Sequence, residues 1–185
     1  MANGEFKYIS GKNLELDDDF YVIENAVYET PSGESVKRVV MRHPGAATIL
    51  PITNDNKIVL VNQFRPGVNQ YVMEIPAGRF DKTDEPEAVT AERELLEETG
   101  YKAKSLDFFG SYFMTPGHSE EEMFFYIARG CEKVQEFAPD GGEEEWMTTH
   151  LFTYEEAKQM LLKKELKDVK TVFALTYFFG MIKSA

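Results

Sequence analysis

Two short runs, ATILPI (47–52) and KIVLVNQF (57–64), set apolar and β-branched residues almost without interruption on either side of TNDN (53–56). A strand with one wet face alternates apolar and polar residues, because successive side chains point to opposite faces. These runs do not alternate. They are expected as a hairpin of central strands, apolar enough to be covered on both sides, with TNDN as the turn.

The rest of the chain supplies partners for that hairpin. FYVIENAVYE (20–29) and SVKRVVMR (35–42), separated by the turn residues PSGE, read as a second hairpin. YVMEIPAG (71–78) reads as a short strand ending at Pro76 and Gly78, and further strands are expected at 106–113, 122–129 and 146–152. Three helices interrupt this order. The first runs from about Glu85 to Thr99, with Asp84 or Glu85 as cap, Pro86 in its first turn and Gly100 just past its end. The second begins at Thr153, which with Glu156 forms a capping box, and runs to about Leu166; the third covers about 170–182. Helices on a mostly β core give an α+β or three-layer domain, and residues 1–44 are expected as a small separate β layer.

Composition narrows the partners. The chain of 185 residues has 32 acidic residues against 20 Lys and Arg, a formal charge of −12, which argues against nucleic acid as a bulk partner. An anionic ligand then needs local arginines or metal ions to offset the repulsion. The longest apolar stretch, VFALTYFFGMI (172–182), is too short to span a bilayer, and the polar N-terminus lacks the apolar centre of a signal peptide, so no membrane association and a cytoplasmic setting are expected. The single cysteine, Cys131, has no disulfide or zinc-cluster partner in the chain.

The chemistry concentrates in ERELLEETGY (92–101). On a helix Glu94, Glu97 and Glu98 stand at i, i+3 and i+4, and like charges at that spacing cost about 0.2–0.5 kcal/mol per pair. A run of glutamates is ordinarily a solvated face. Here it follows a loop of Pro76, Ala77 and Gly78, and Arg93 sits within it, four residues from Glu97 and within reach of Glu85. Hard oxygen ligands of this kind suit Mg²⁺ or Mn²⁺, and a bound cation relieves the repulsion. Ala88, Ala91 and Leu95 form the apolar stripe that buries the other side.

The ordered set of Gly78, Glu85, Arg93-Glu94-Leu95, Glu97-Glu98 and Gly100 resembles the box of the Nudix hydrolases, G-x5-E-x7-R-E-U-x-E-E-x-G-U. The chain departs from it in having six residues, not five, between Gly78 and Glu85, and Tyr101 in the last apolar position. The resemblance implies a three-layer α/β/α sandwich with a mixed β-sheet over residues 45–185, with the N-terminal antiparallel layer beside it. It implies that Glu94, Glu97 and Glu98, with the carbonyl of Ala77, bind divalent metal, Mg²⁺ first and Mn²⁺ as the alternative. It implies a structural pair of Glu85 and Arg93, and attack of water on a diphosphate.

RHPGA (42–46), VNQFR (61–65), EIPAG (74–78) and TPGHSEE (115–121), with Pro116 sixteen residues after Gly100, resemble the ADP-ribose pyrophosphatase and nucleoside diphosphate sugar hydrolase branch. That branch places an acidic loop before a late strand. GGEEEW (141–146) stands there, which implies Glu143 as catalytic base, alongside Glu97 and Glu98, and Glu145 as a further metal ligand. Arg65 and Arg79 are the candidates for the diphosphate, and Glu74 for a base or ribose. His118 departs from the aromatic or aliphatic residue frequent in ADP-ribose enzymes and leaves GDP-mannose or another nucleotide sugar open. The N-terminal hairpin resembles the segment that branch exchanges in a homodimer, which would bring Arg38, Arg42, Phe20, Tyr21 and Tyr28 to a partner's site. The alternatives are a regulatory module that binds nucleotide sugars without turnover, and a Nudix enzyme acting on nucleoside triphosphates.

Overall fold

The structure is a computed structural model and describes residues 7–13, 22–80, 85–136 and 146–182. The chain divides into two compact units, one of residues 1–45 and 112–123, the other of 46–111 and 124–185.

In the first unit β1 (Lys7–Asn13), β2 (Val22–Glu29) and β3 (Ser35–Arg42) form an antiparallel sheet in that order. The β2–β3 hairpin follows the expected pattern. Its turn closes through Thr30 N to Glu34 O (2.8 Å) and Gly33 N to Thr30 O (2.9 Å), with Gly33 at φ +84°, a conformation glycine adopts without steric cost. Strand β1 was not expected from the sequence. Its seven residues are all exposed, so no apolar period marks it. It is held by its ladder to β2 and by the Tyr8 hydroxyl, which donates to Glu24 (2.7 Å). Glu24 also accepts from Arg42 (2.5 Å), and these two donors hold its carboxyl below the usual carboxylate range. The loop 115–121 lies along β3: Met41 N donates to His118 O (2.8 Å), Glu120 N donates to Met41 O (3.2 Å), and Arg42 pairs with Glu120 (2.8 Å). The segments RHPGA and TPGHSEE therefore meet.

The second unit is built on an eight-stranded mixed sheet. Strands β11 (Thr148–Thr153), β5 (Lys57–Arg65), β4 (Ala46–Thr53), β10 (Glu122–Lys133) and β8 (Tyr101–Lys102) run in that order. Strand β6 (Gln70–Glu74) pairs with β5, β7 (Ala77–Arg79) with β4, and β9 (Ser105–Phe113) with β10. The 71–78 stretch, expected as one strand, is thus two. Pro76 has no N–H for a ladder, and there the chain passes from one neighbour, β5, to another, β4.

Helix α1 (Glu87–Thr99) covers one face of the sheet. Ala91 and Leu95 pack with Ala47, Ile49, Val59, Tyr126 and Ala128. One residue along β10, Phe125 meets Phe173 of α3 (Val169–Ile182), ring centroids 5.0 Å apart. Neighbouring residues of a strand point to opposite faces, so α1 and α3 lie on opposite sides and the unit is a three-layer sandwich. Helix α2 (Tyr154–Leu162) lies with α3, Tyr154 meeting the Phe178 ring edge to face.

Details of the helices differ from expectation. Helix α1 follows Pro86 with no side-chain cap; Asp84 lies outside the described residues, and Glu85 accepts from Thr90 Oγ1 (3.0 Å) instead. Ala88, expected in the buried stripe, is exposed, and Thr90 is buried in its place beside Ala91. The expected stop is present: Gly100, at φ +74°, donates to Leu96 O (2.8 Å). Helix α2 has the expected capping box but ends at Leu162, where Lys164 turns left-handed at φ +60°. Removing its cap by Thr153→Ala lowers stability by about 1 kcal/mol, measured from the urea midpoint at unchanged slope.

Candidate active site

The loop between β6 and α1 meets two members of the acidic set, Glu98 and Glu94. Glu98 is 7% exposed, and its Oε2 accepts from Ala77 N at 3.1 Å. This bond ties the last turn of the helix to the loop that precedes it. Glu94 lies against Gly78: a β-carbon at residue 78 would stand 1.9 Å from the Glu94 carboxyl carbon. Glycine at that position is what admits the carboxylate. Glu97, a turn from Glu94, is about half exposed, and Glu92 is exposed.

Arg93 runs along this face. Its Nη1 stands 2.7 Å from Glu94 and 2.9 Å from Glu97, and its Nε stands 4.0 Å from Glu85. The guanidinium is nearer the two helix carboxylates than the expected partner Glu85. Among the described residues, no three His, Cys, Asp or Glu groups stand together closely enough to hold a metal ion. Arg93 draws Glu94 and Glu97 to itself while Glu98 faces the loop backbone. The donor set still fits a hard divalent cation: three carboxylates within about one helical turn, all oxygen, beside the Ala77 backbone.

The arginine and glutamate expected as separate substrate contacts prove to be partners. Arg65, at the end of β5, donates from Nε and Nη2 to the two oxygens of Glu74 (2.8 and 2.7 Å). Glu74, 3% exposed, also accepts from Lys170 Nζ (2.9 Å), which donates in turn to Asp168 (2.7 Å). Burial pushes the Glu74 carboxyl upward, but Arg65 and Lys170 outweigh it and hold the group below its usual range. Burial pushes the Lys170 ammonium down, and Asp168 and Glu74 more than restore it. Both cations and Glu74 therefore stay charged. Asp168 and Lys170 were not singled out from the sequence. Asp before a helix was a legible cap, but nothing in the sequence tied Lys170 to Glu74, ninety-six residues away.

The other expected site residues fall elsewhere. Arg79 closes β7 opposite Ala46. Arg38 and His118 line a cleft of about 440 Å³ in the first unit, with Tyr28, Arg42, Phe113 and Pro116. Arg38 is exposed and donates to Lys37 O (2.8 Å). Glu143 and Glu145, with Phe20 and Tyr21, lie outside the described residues. Cys131 is buried, and that burial pushes its thiol up to about 11.

Carboxylates thus line one face of α1, with a glycine that makes room for one of them and a backbone N–H that holds another. The chain belongs to the NUDIX domain family, whose pattern matches residues 41–175, and is a Nudix pyrophosphohydrolase. It is 41% identical over 149 residues to the methanol dehydrogenase activator of Bacillus methanolicus, covering 80% of each chain. It is 36% identical over 168 residues to the ADP-ribose pyrophosphatase of Bacillus subtilis strain 168, covering 91% of this chain and 86% of that one. The crystal structure of an ADP compounds hydrolase matches the fold with a TM-score of 0.83 at 21% identity, over 100% of this chain and 97% of that one. Hydrolysis in this family depends on a divalent metal ion. No helix among the described residues is long and apolar enough to cross a membrane.

Proposed function

We propose that this chain hydrolyses the diphosphate of nucleoside diphosphate sugars, with ADP-ribose the leading substrate and GDP-mannose and other nucleotide sugars open. The products are a nucleoside monophosphate and a sugar phosphate. The observation that carries the reading is the meeting of Glu98 with Ala77 N and of Glu94 with Gly78, which sets the carboxylate face against the loop. Its similarity to a protein named ADP-ribose pyrophosphatase supports the choice of substrate.

Glu94, Glu97, Glu98 and the Ala77 carbonyl are the proposed ligands of Mg²⁺, or of Mn²⁺, with Glu145 a further ligand. The metal supplies acidification of the attacking water and neutralisation of charge on the oxygens at phosphorus. Glu143 takes the proton of that water, with Glu97 and Glu98 beside the reacting centre. The water oxygen bonds to phosphorus as the bridging P–O bond breaks. Arg65, held by Glu74, and Arg79 present guanidinium groups to the diphosphate oxygens. Arg38 and His118 are further proposed substrate contacts, and Glu85 with Arg93 the structural pair. We assign residues 1–44 to the N-terminal layer and 45–185 to the hydrolase domain, with exchange of that layer in a homodimer and an ordinary layer within a monomer both open. The proposed partners are a small nucleotide sugar and a second copy of the chain, without nucleic acid or membrane, in the cytoplasm.

The alternative within the family is an enzyme acting on nucleoside triphosphates. One assay separates them. ADP-ribose, GDP-mannose and deoxynucleoside triphosphates are each incubated with the protein and Mg²⁺, and the phosphate products are identified. The expected result is AMP and ribose phosphate from ADP-ribose, with the highest kcat/KM in the panel. A substantially higher kcat/KM on a triphosphate overturns the choice of substrate.

A further inference from the structure

The start of α3 reaches the centre of the second unit through two arms. Asp168 caps the helix: its Oδ2 accepts from Thr171 N (2.9 Å) and Thr171 Oγ1 (2.7 Å), and its Oδ1 from Lys170 Nζ (2.7 Å). In one arm Lys170 Nζ donates to Glu74 Oε2 (2.9 Å), and Glu74 grips Arg65 with both oxygens. In the other, Thr171 Oγ1 accepts from Ile75 N (2.8 Å), and two residues further on Ala77 N donates to Glu98 (3.1 Å). A single four-residue segment, Glu74 to Ala77, thus holds the guanidinium at one end and a carboxylate of the acidic face at the other.

The need for Lys170 follows from torsional freedom. The terminal torsion of a glutamate is broad, so a Glu–Arg fork held only to itself turns as a unit. A third donor from a separate element fixes the plane of the carboxylate and with it the plane of the guanidinium. Lys170 meets that requirement. Its side chain is only 14% exposed, and an ammonium so enclosed is costly unless paired, a cost that an apolar residue of similar volume avoids. Arg65 Nη1 makes no hydrogen bond to any described residue, so the fork as held still has donors to offer.

We propose that Lys170 is a positioning residue for the hydrolysis, acting through Glu74 to orient the Arg65 guanidinium; this rests on the reading of Arg65 as a diphosphate contact. In this role Lys170 acts through Glu74 and not on the substrate or the reacting atoms.

The test is a double-mutant cycle on the full chain with ADP-ribose and Mg²⁺. Lys170→Met is expected to raise KM about tenfold and to change kcat less than about threefold, and Lys170→Arg to recover most of the loss. Arg65→Gln is expected to raise KM at least as much, and the double variant to be no worse than Arg65→Gln alone. Effects that multiply in the double variant, or a Lys170→Met protein of lowered melting temperature and parent KM, overturn the proposal. An impaired Arg65→Gln beside an unimpaired Lys170→Met overturns the role of Lys170 alone. Parent KM in Arg65→Gln overturns the reading of Arg65 itself. If Lys170→Met does not fold, the same cycle is run with Lys170→Gln, and the same outcomes decide.

Discussion

Glu98→Gln lowers kcat for ADP-ribose hydrolysis by on the order of a thousandfold while the protein stays folded, because several kcal/mol of transition-state charge stabilisation depend on the metal this carboxylate holds. The substitution isolates charge from shape. Glu98 is buried, and its Oε2 accepts from Ala77 N. An amide oxygen accepts that bond equally, so the junction between helix and loop survives and the melting temperature changes little. What is lost is the anionic oxygen that a hard divalent cation prefers. Glu92→Gln provides the contrast on the same helix: that side chain is exposed, and the variant keeps parent kcat. Turnover is measured at saturating Mg²⁺ and substrate, with thermal melts in parallel. Near-parent turnover in Glu98→Gln would remove Glu98 from the metal set.

The parts of this architecture that the sequence made legible are those written in local patterns. The unbroken apolar runs of β4 and β5, the turn at Pro31–Glu34, the Thr153 capping box and the stop at Gly100 each depend on residues within a few positions of one another. The acidic face was legible for the same reason, since Glu97 and Glu98 follow Glu94 at the helix spacings of three and four. Strand β1 was not, because its residues KYISGKN have no buried face to impose a period; its place comes from a ladder to β2 and a bond from Tyr8 to Glu24. The break at Pro76 was visible as a proline but not as a transfer between two neighbouring strands. The Arg65–Glu74–Lys170–Asp168 cluster was illegible as a cluster. Arg65 and Glu74 meet through the register of the β5–β6 hairpin, and Lys170 joins them from a helix a hundred residues later. Arg93 shows the same limit at short range: sequence spacing allowed both Glu85 and Glu97, and only the fold puts it at 2.9 Å from one and 4.0 Å from the other.

Gly78→Ala is expected to raise the Mg²⁺ concentration for half-maximal activity by roughly 10–100-fold, the range seen when the support of a metal ligand is disturbed, with little change in melting temperature. The added β-carbon would stand 1.9 Å from the Glu94 carboxyl carbon and 2.2 Å from each of its oxygens, far inside van der Waals contact. One side must move. The backbone at residue 78 is paired with Ala47 of the central strand β4, which is fully buried, so retreat there would disturb the core. The Glu94 carboxylate is the far end of a flexible side chain, and it yields, leaving its contact with Arg93 at 2.7 Å and its place on the acidic face. The displacement costs metal affinity rather than the fold, so kcat recovers in large part once the metal is saturating. Gly67→Ala is the control, because a β-carbon there meets nothing within 4 Å. Shortening the displaced side chain by one methylene, in the double variant Gly78→Ala/Glu94→Asp, relieves the overlap and lowers the Mg²⁺ requirement below that of Gly78→Ala alone. A Gly78→Ala protein with the parent metal requirement would show that Glu94 does not serve the ion, and the acidic face would then rest on Glu97 and Glu98.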